Sequence, residues 1–208
     1  SGNFGLRIVN SEKLGSNEHH VYSIHVERTG KLCVTMSYID PATDDNLMQP
    51  IFCDIDLILK APNGKLYYGN QYDNKQAEHF STNERVLLDD AIPGDWEIHV
   101  VSNEYTIGVR PIYSLVVTGP FDHNDVSKNQ LFPKPTQSTK CIGDCNGGKC
   151  VDGQCICDYL HYGVNCDESF IEVNDSRSLE ISMKNRNIYV LKYPIEGTSK
   201  ETPFTLIS

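Results

Sequence analysis

Short runs in which apolar and polar residues alternate recur through residues 21–118 of this 208-residue chain, with turn signals between them. In the run CDIDLILK, which begins at Cys53, every second residue is apolar, and this period is typical of a strand with one buried face. Pro62 and Gly64 follow and predict a turn into a second strand. Seven strands are predicted, at residues 21–26, 32–38, 53–60, 65–68, 85–88, 96–101 and 112–118. Since no convincing amphipathic helix lies among them, they predict an all-β fold, a β-sandwich or jelly roll.

Composition limits the classes of partner. The formal net charge of −10 disfavours nucleic acid, because phosphate backbones attract basic surfaces and the chain has no run of lysine or arginine. No stretch approaches the roughly 18 apolar residues that a membrane-spanning helix needs. The 39% apolar content is enough for a modest core. We therefore expect a globular protein that has no membrane span and does not bind nucleic acid.

Six of the eight cysteines fall within residues 141–166, which read CIGDCNGGKCVDGQCICDYLHYGVNC. Such density is typical of a small domain held together by disulfides, and disulfides persist in oxidising compartments. We therefore expect an extracellular protein, either secreted or at the cell surface. The triplet Asn174-Asp175-Ser176 is an N-glycosylation signal, which fits that compartment.

The end of this cysteine-rich segment resembles the end of an EGF-like domain, because Cys157 is followed by the aromatic Tyr162, by Gly163 and by a final Cys166. Sequence alone leaves many pairings of six cysteines open. The resemblance implies the pairs Cys141–Cys150, Cys145–Cys155 and Cys157–Cys166. The simplest role of such a module is that of a rigid spacer, and a receptor ligand is the alternative.

Metal binding by the cysteine module is the competing interpretation, because close thiols also hold zinc. The segment has no C-x-x-C pair, and its one histidine, His161, lies within the last loop. Calcium-binding EGF-like domains carry acidic residues just before the first cysteine, whereas residues 137–140 here read QSTK. We therefore expect neither zinc nor calcium in this module.

Four segments between residues 20 and 120 carry a second resemblance: KLCVTMSYIDPAT from Lys31, CDIDLILKAPNGKLYYGN from Cys53, NERVLLDDAIPGDWEIHVVSNEYTIG from Asn83 and RPIYSLVVTGP from Arg110. In this order they resemble the β-jelly-roll domain that follows the catalytic domain in many subtilisin-like serine proteases. Two departures stand out. Cys53 replaces the first Asn of the family's Asp-rich motif, and the family's residue between Asn83 and Glu84 is missing.

The first residues resemble the same family. SGNFGLRIVNSEKL, residues 1–14, is similar to the closing stretch of a subtilase catalytic domain, with Arg7 in place of its second glycine. An ordinary leader strand is the alternative. The predicted organisation is a possible catalytic-domain end at 1–14, a β-jelly-roll domain at 15–120, a linker at 121–140, an EGF-like module at 141–167 and the start of a further β-unit at 168–208.

The chain carries no candidate for peptide hydrolysis. A subtilase needs a nucleophilic serine, a histidine base, an aspartate and an oxyanion donor. The seven histidines, at positions 19, 20, 25, 79, 99, 123 and 161, include none in a His-Gly-Thr context, and the sequence has no Gly-Thr-Ser-Met segment. His25 and His99 lie on predicted strands, where a solvent-facing or hydrogen-bonded role is more common than catalysis. We therefore expect no catalytic residue here.

Asp54 and Asp56 are the candidate metal ligands. They project from one face of a predicted strand, about 7 Å apart at Cα for a rise of about 3.4 Å per residue. Two interpretations stay open, a shared calcium ion and hydrogen bonds to the amides of nearby turns. Calcium takes about six to eight oxygens, so it needs further ligands. The available donors are Asp40, Asp44, Asp45, Asn70, Asp73 and Glu84.

Cys33 and Cys53 remain outside the cysteine-rich segment. A bridge between them would join two strands of the β-domain and stabilise it by about 2–4 kcal/mol. Cys53 has the parity of the core residue Ile55, whereas Cys33 is out of phase with Val34, so the bridge requires a bulge. We expect this bridge to form.

The resemblance implies a function. It identifies the chain as the non-catalytic C-terminal region of a secreted or surface subtilisin-like serine endopeptidase. Its partners would then be the catalytic domain of the same precursor, which it stabilises, and protein substrates that it helps to position. A cell-surface adhesion module without protease activity is the alternative, with Tyr67, Tyr68 and Tyr105 as surface aromatic residues that bind another protein.

Overall fold

The computed structural model describes residues 4–15, 18–41, 53–70, 81–102, 110–121, 130–158, 160–162, 164–169, 171–172 and 191–192. The chain divides into two compact units, Ser1–Glu168 and Ser169–Ser208. All regular secondary structure in the described residues is β, and no helix occurs among them. The all-β prediction is therefore confirmed at the level of class.

Two antiparallel sheets make up most of the first unit. The four-stranded sheet has the order β1-β8-β3-β6, and the five-stranded sheet has the order β5-β4-β7-β2-β9. The strands are β1 (Gly5–Lys13), β2 (His19–Val26), β3 (Gly30–Ile39), β4 (Ile55–Lys60), β5 (Leu66–Tyr68), β6 (Asn83–Ala91), β7 (Gly94–Ser102), β8 (Ile112–Gly119) and β9 (Thr136–Gln137). Each of the seven predicted strands corresponds to one of β2–β8.

The two sheets share one apolar core. Alternate residues of the longer strands point into it, as Val34 and Met36 do from β3 and Ile98 and Val100 do from β7, and all four are fully buried. Trp96 of β7 is 1% exposed and lies in the same core. Burying one large apolar side chain contributes about 1.5–3 kcal/mol, so this core is the main source of stability.

Segments predicted to lie outside the β-domain belong to its sheets. Residues 5–13, within the expected catalytic-domain end, form the edge strand β1, as the leader-strand alternative predicts, and Val9 and Leu14 are buried in the core. Within the segment predicted as a linker, Leu131 pairs with Ile8. Later in the same segment, β9 pairs with β2. Both pairings depend on contacts between residues far apart in the chain, which local composition does not report.

The cysteine module, residues 141–166, contains one hairpin and one strand that pairs just beyond the module. Strand β10 (Gly148–Val151) pairs antiparallel with β11 (Gln154–Cys157), and β12 (His161–Tyr162) pairs with β13 (Glu168–Ser169). Asp152 and Gly153 turn the hairpin with φ values of 49° and 89°. Positive φ at both central residues suits the twist of a two-residue hairpin.

The structure describes five residues of the second unit, 169, 171, 172, 191 and 192. Strand β14 (Ile171–Glu172) pairs in parallel with β15 (Leu191–Lys192). Most of the further β-unit predicted at 168–208 lies outside the described residues. The further β-unit stays a prediction.

Candidate functional site

Strand β4 is buried on both faces, although its sequence predicts one face in solvent. On the side away from the shared core, Asp56 is 1% exposed and Ile58 is fully buried. This side belongs to a second apolar cluster, whose members are Ile58, Tyr68, Val101 and Ile142. Ile142 comes from the cysteine module, so the module covers this part of the outer face of the five-stranded sheet.

Polar contacts fix the module on this face. The Asn165 side-chain amide Nδ2 donates a hydrogen bond of 3.0 Å to the hydroxyl of Tyr68. The Gln154 side-chain amide Nε2 donates one of 3.0 Å to the carbonyl of Ser102, at the end of β7. Asn165 is 4% exposed and Ser102 is 1% exposed. The module and the β-domain are therefore packed together as one unit.

Tyr38 and Asp40 hold the backbone at Cys53, where the chain enters β4. The Tyr38 hydroxyl donates to the carbonyl of Cys53 at 2.7 Å, and the amide of Cys53 donates to Asp40 Oδ1 at 2.8 Å. Burial, and after it the charges of Asp54, Glu84, Asp40 and Asp56 in that order, raise the pKa of Tyr38 above its usual value. The hydroxyl therefore stays protonated and remains a donor at physiological pH.

Glu84 joins the two sheets. It belongs to β6 in the four-stranded sheet, is 2% exposed, and accepts the amide hydrogen of Leu57 in β4 at 2.7 Å from Oε2. Gly69 lies against this carboxylate, and a Cβ atom there would overlap both Oε2 and the Cβ of Glu84. The amide of Gly69 donates to the carbonyl of Leu57 at 2.8 Å. A glycine at position 69 therefore makes room for the buried carboxylate.

Asn70 completes this connection. Its φ of 58° is in the left-handed region, which asparagine tolerates better than most residues. Its side chain donates to the carbonyl of Asn83 at 2.7 Å and accepts the amide hydrogen of Arg85 at 3.0 Å. The Tyr68-Gly69-Asn70 segment thus connects the end of β5 to β6. This segment is part of the resemblance given above, where the sequence offered no physical reason for it.

The candidate calcium ligands lie beside this connection. Asp56 is buried in β4 and Asp54 is half-buried just before it. Among the described residues, no three carboxylate side chains converge closely enough to form a preformed metal site. Of the possible helpers, Asp44, Asp45 and Asp73 lie outside the described residues. Calcium at Asp54 and Asp56 stays a prediction, which a fall in melting temperature on chelation would support.

The structure contains three disulfides in the cysteine module, Cys141–Cys150, Cys145–Cys155 and Cys157–Cys166. These are the pairs that the EGF-like resemblance implies. The sulfurs of Cys141, Cys145 and Cys155 lie within 4.8 Å of one another. Each of them is in a disulfide, so none offers the thiolate that a zinc ion requires. Three disulfides indicate an oxidising environment.

The predicted Cys33–Cys53 bridge is absent, and both residues are free thiols. Cys53 is fully buried in the core, whereas Cys33 is half-buried on the outer face of the four-stranded sheet, where the Arg85 Nε–H donates to its sulfur at 3.4 Å. The two sulfurs lie on opposite sides of the four-stranded sheet, because no bulge at Cys33 turns its side chain from the outer face to the core. Burial, and next the charge of Asp40, raise the pKa of Cys53 to about 12.

The middle of the outer face of the four-stranded sheet carries few charges. The register aligns two rows across the strands, Ile8–Val116–Thr35–Arg85 and Leu6–Thr118–Cys33–Leu87. Arg85 is the only charged residue of the eight. Val116 is 43% exposed and Leu87 is 44% exposed. We call these eight residues the apolar face.

A buried pair of histidines lies where the cysteine module meets the five-stranded sheet. His19 Nε2 is 2.7 Å from His99 Nδ1, and His19 Nδ1 is 3.2 Å from the carbonyl of Gly153 in the module. His19 is 1% exposed and His99 is 4% exposed. Sequence analysis gave no role to His19 and a generic one to His99. His19 lies opposite Val101 and His99 opposite Val21, so the two rings are diagonal neighbours, which is visible only once β2 is paired with β7.

The other candidate residues have simpler positions. His25 is exposed and contacts Asp95 at 2.6 Å, and Tyr67 is half-buried beside Trp96. Tyr68 is 8% exposed beneath the module, so it is not a surface aromatic residue. The glycosylation candidate Asn174 and the aromatic residue Tyr105 lie outside the described residues. The described part of the chain contains no helix long and apolar enough to cross a membrane.

Comparison with known proteins finds similarity to solved structures, and not to family models or curated sequences. No protein-family model and no curated protein sequence matches the chain. Among solved structures, the crystal structure of the Bacillus licheniformis lipase BlEst2 in its propeptide form is similar with a TM-score of 0.37 and 9% identity. The match covers 66% of this chain and 32% of the lipase chain, so this chain aligns with about a third of that protein.

Proposed function

We propose that this chain is the non-catalytic C-terminal region of a secreted or cell-surface subtilisin-like serine endopeptidase. In this proposal residues 15–120 are its β-jelly-roll domain and residues 141–167 an EGF-like module. The ordered sequence motifs support it. Two of them have structural roles in the fold, Tyr38 to Asp40 at the start of β4 and Tyr68 to Asn70 against β6.

The apolar face is the observation that carries the proposal. A chain with a net charge of −10 has 46 charged residues, 18 basic and 28 acidic, yet this face holds Arg85 alone. A partly exposed surface that carries few charges is typical of an interface with another protein domain. We assign the catalytic domain of the same precursor to this face. By binding only the folded catalytic domain, the chain stabilises it.

The chain then takes part in proteolysis without a catalytic residue of its own. Its apolar face packs against the catalytic domain. On the opposite side, the cysteine module packs against the five-stranded sheet through Ile142 and extends a rigid surface. Such a surface positions protein substrates by contact rather than by chemistry. The isolated chain has no peptidase activity in this proposal.

The alternative is a cell-surface adhesion module. The same apolar face fits it, with a partner protein in place of a catalytic domain. The structure weakens one of its supports, because Tyr68 packs beneath the cysteine module instead of presenting its ring at the surface.

Activity-based labelling of the natural protein tests the proposal. An antibody raised against this chain captures the native polypeptide and any processed partner from the source material, and a fluorophosphonate probe then labels nucleophilic serines. We expect a labelled species that is either larger than the 23.4 kDa of this chain or bound to it without a covalent link. The recombinant chain alone is the control and stays unlabelled.

Captured material without a labelled serine would contradict the proposal. If the captured material carries no fluorophosphonate label and its coding sequence contains no catalytic Asp, His and Ser, the protease proposal fails. The adhesion alternative then takes its place.

A further inference from the structure

Arg85 is the single charged residue of the apolar face, and it is not at the outer edge of the sheet. It is exposed on β6, where it lies opposite Thr35 of β3, and Leu87 follows it on the same face. On the other side of β6, the amide of Asn70 donates to the Arg85 carbonyl at 2.9 Å. The backbone at Asn70 therefore lies along the outer edge of β6 at this position.

A contact with Cys33 directs the Arg85 side chain. The Arg85 Nε–H donates to the Cys33 sulfur at 3.4 Å. Because Cys33 lies on β3, the side chain runs from β6 towards the middle of the sheet rather than away from it. A thiol sulfur is a weak acceptor and carries no charge. The contact therefore positions the guanidinium group without neutralising it.

The rest of the guanidinium group has donors to spare. An arginine side chain carries five N–H groups, and Cys33 accepts one of them. In the part of the chain that the structure describes, no carboxylate lies within 4 Å of Arg85. Asp89, farther along β6, contacts Lys31 at 3.2 Å instead. Arg110 shows the contrast, because it is 3.4 Å from Glu18 of the same chain.

Covering the apolar face would take the Arg85 guanidinium out of water. Burial of its neighbours Leu87 and Val116, which are 44% and 43% exposed, favours such a contact. A cation that leaves water is costly to bury unless an opposite charge meets it. A surface made only of apolar side chains would leave Arg85 unpaired. The surface that covers this face therefore has to supply a carboxylate.

We propose that Arg85 determines the specificity of the apolar face, and that the surface which docks there presents one Asp or Glu carboxylate among apolar side chains. The inference rests on the proposed function, since it describes the surface of the catalytic domain of the same precursor. Two guanidinium N–H groups hold a carboxylate by two parallel hydrogen bonds, which the compact charge of a lysine does not reproduce.

The charge of the whole chain sharpens this specificity. With a net charge of −10, the chain repels carboxylates over most of its surface. Arg85 is the place on the apolar face where a carboxylate is attracted, so it fixes the position of the partner as well as its charge. A surface with a lysine or arginine at this point is excluded by the repulsion between like charges.

Alkylation of Cys33 by iodoacetamide measures docking at this face. For each variant, the rate in the isolated folded chain is divided by the rate in the intact precursor, which cancels any effect on the thiol itself. We expect a ratio of at least ten for the unmutated protein. For Arg85→Gln we expect it to be at least fivefold smaller, because the carboxylate of the partner is then buried without a cation. Arg110→Gln is the matched control and keeps the full ratio, since Arg110 pairs with Glu18.

A zero-length cross-link identifies the carboxylate. The Arg85→Lys precursor has an amine at this position, and a water-soluble carbodiimide joins an amine to a carboxylate in direct contact with it. We expect mass spectrometry of the digest to show an amide bond between position 85 and an Asp or Glu of the catalytic domain. In the Arg110→Lys control the bond forms with Glu18, which shows that the reaction proceeds in the folded protein.

The outcomes distinguish this inference from the proposed function. If Cys33 is protected in the precursor and the ratio for Arg85→Gln equals that of the unmutated protein, Arg85 has no such role, while docking of the catalytic domain stands. A cross-link from position 85 only to residues 1–208 overturns the inference in the same way. A ratio near one in the unmutated precursor overturns the proposed function, and the role of Arg85 with it.

Discussion

Gly69→Ala is expected to destabilise the β-domain by about 3 kcal/mol. The new methyl group would overlap the Glu84 carboxylate and its Cβ, and the carboxylate cannot move without giving up the amide of Leu57. Overpacking costs about 1–3 kcal/mol, and the loss of a hydrogen bond to a charged group adds about 1.5–3 kcal/mol. Urea unfolding followed by the fluorescence of Trp96, the single buried tryptophan, measures the change.

Gly64→Ala is the matched control for this variant. Gly64 lies in the turn between β4 and β5 with a φ of 83°, and a Cβ there would meet no atom within 4 Å. Its substitution therefore costs only the left-handed backbone penalty of about 1–2 kcal/mol. A double variant, Gly69→Ala with Glu84→Ala, should lose less stability than the sum of the two single changes. Equal losses for Gly69→Ala and Gly64→Ala would contradict the role assigned to Glu84.

Ile142→Asp is expected to detach the cysteine module from the five-stranded sheet. Ile142 is 6% exposed and packs against Ile58, Tyr68 and Val101. Its burial contributes about 1.5–3 kcal/mol, and a carboxylate at the same place would have to leave water without a partner. The loss of docking energy is therefore at least about 3 kcal/mol. Faster exchange of the Ser138 amide and a shift of the Tyr68 ring signals would report it.

Ile156→Asp provides the comparison within the same module. Ile156 is 50% exposed on β11, so a carboxylate there stays in water. We expect docking and disulfide formation to match those of the unmutated chain. The account of the interface is wrong if the two variants behave alike.

The strands of the β-domain were predictable because each has one face in the shared core. Strand β1 was predicted only as the alternative to a catalytic-domain end, and its register explains why. A bulge lies between Val9 and Glu12, and Ser11 has a φ of 58°, so the alternation of apolar residues is interrupted in the middle of the strand. Sequence periodicity requires an unbroken strand, and β1 lacks one.

The candidate site was predictable only in its separate parts. The spacing around Asp56 predicts a solvent-facing side chain, but the residue is 1% exposed. On the same face of β4, Ile58 packs against a module that begins some 85 residues later than Asp56. The contacts of Glu84 with Leu57 and of His19 with His99 also join distant segments. The position of Cys33 was predictable from the sequence, since the alternation along its strand places its side chain on the face away from the core.

Alkylation of Cys33 tests the central claim, that the apolar face packs against a catalytic domain. Cys33 is the free, partly exposed thiol on that face, while Cys53 is fully buried and the other six cysteines form disulfides. Iodoacetamide should therefore modify Cys33 in the isolated folded chain and leave Cys53 unmodified until unfolding. In the intact precursor, we expect the rate at Cys33 to fall at least tenfold. The same rate in the precursor and in the isolated chain would contradict the claim.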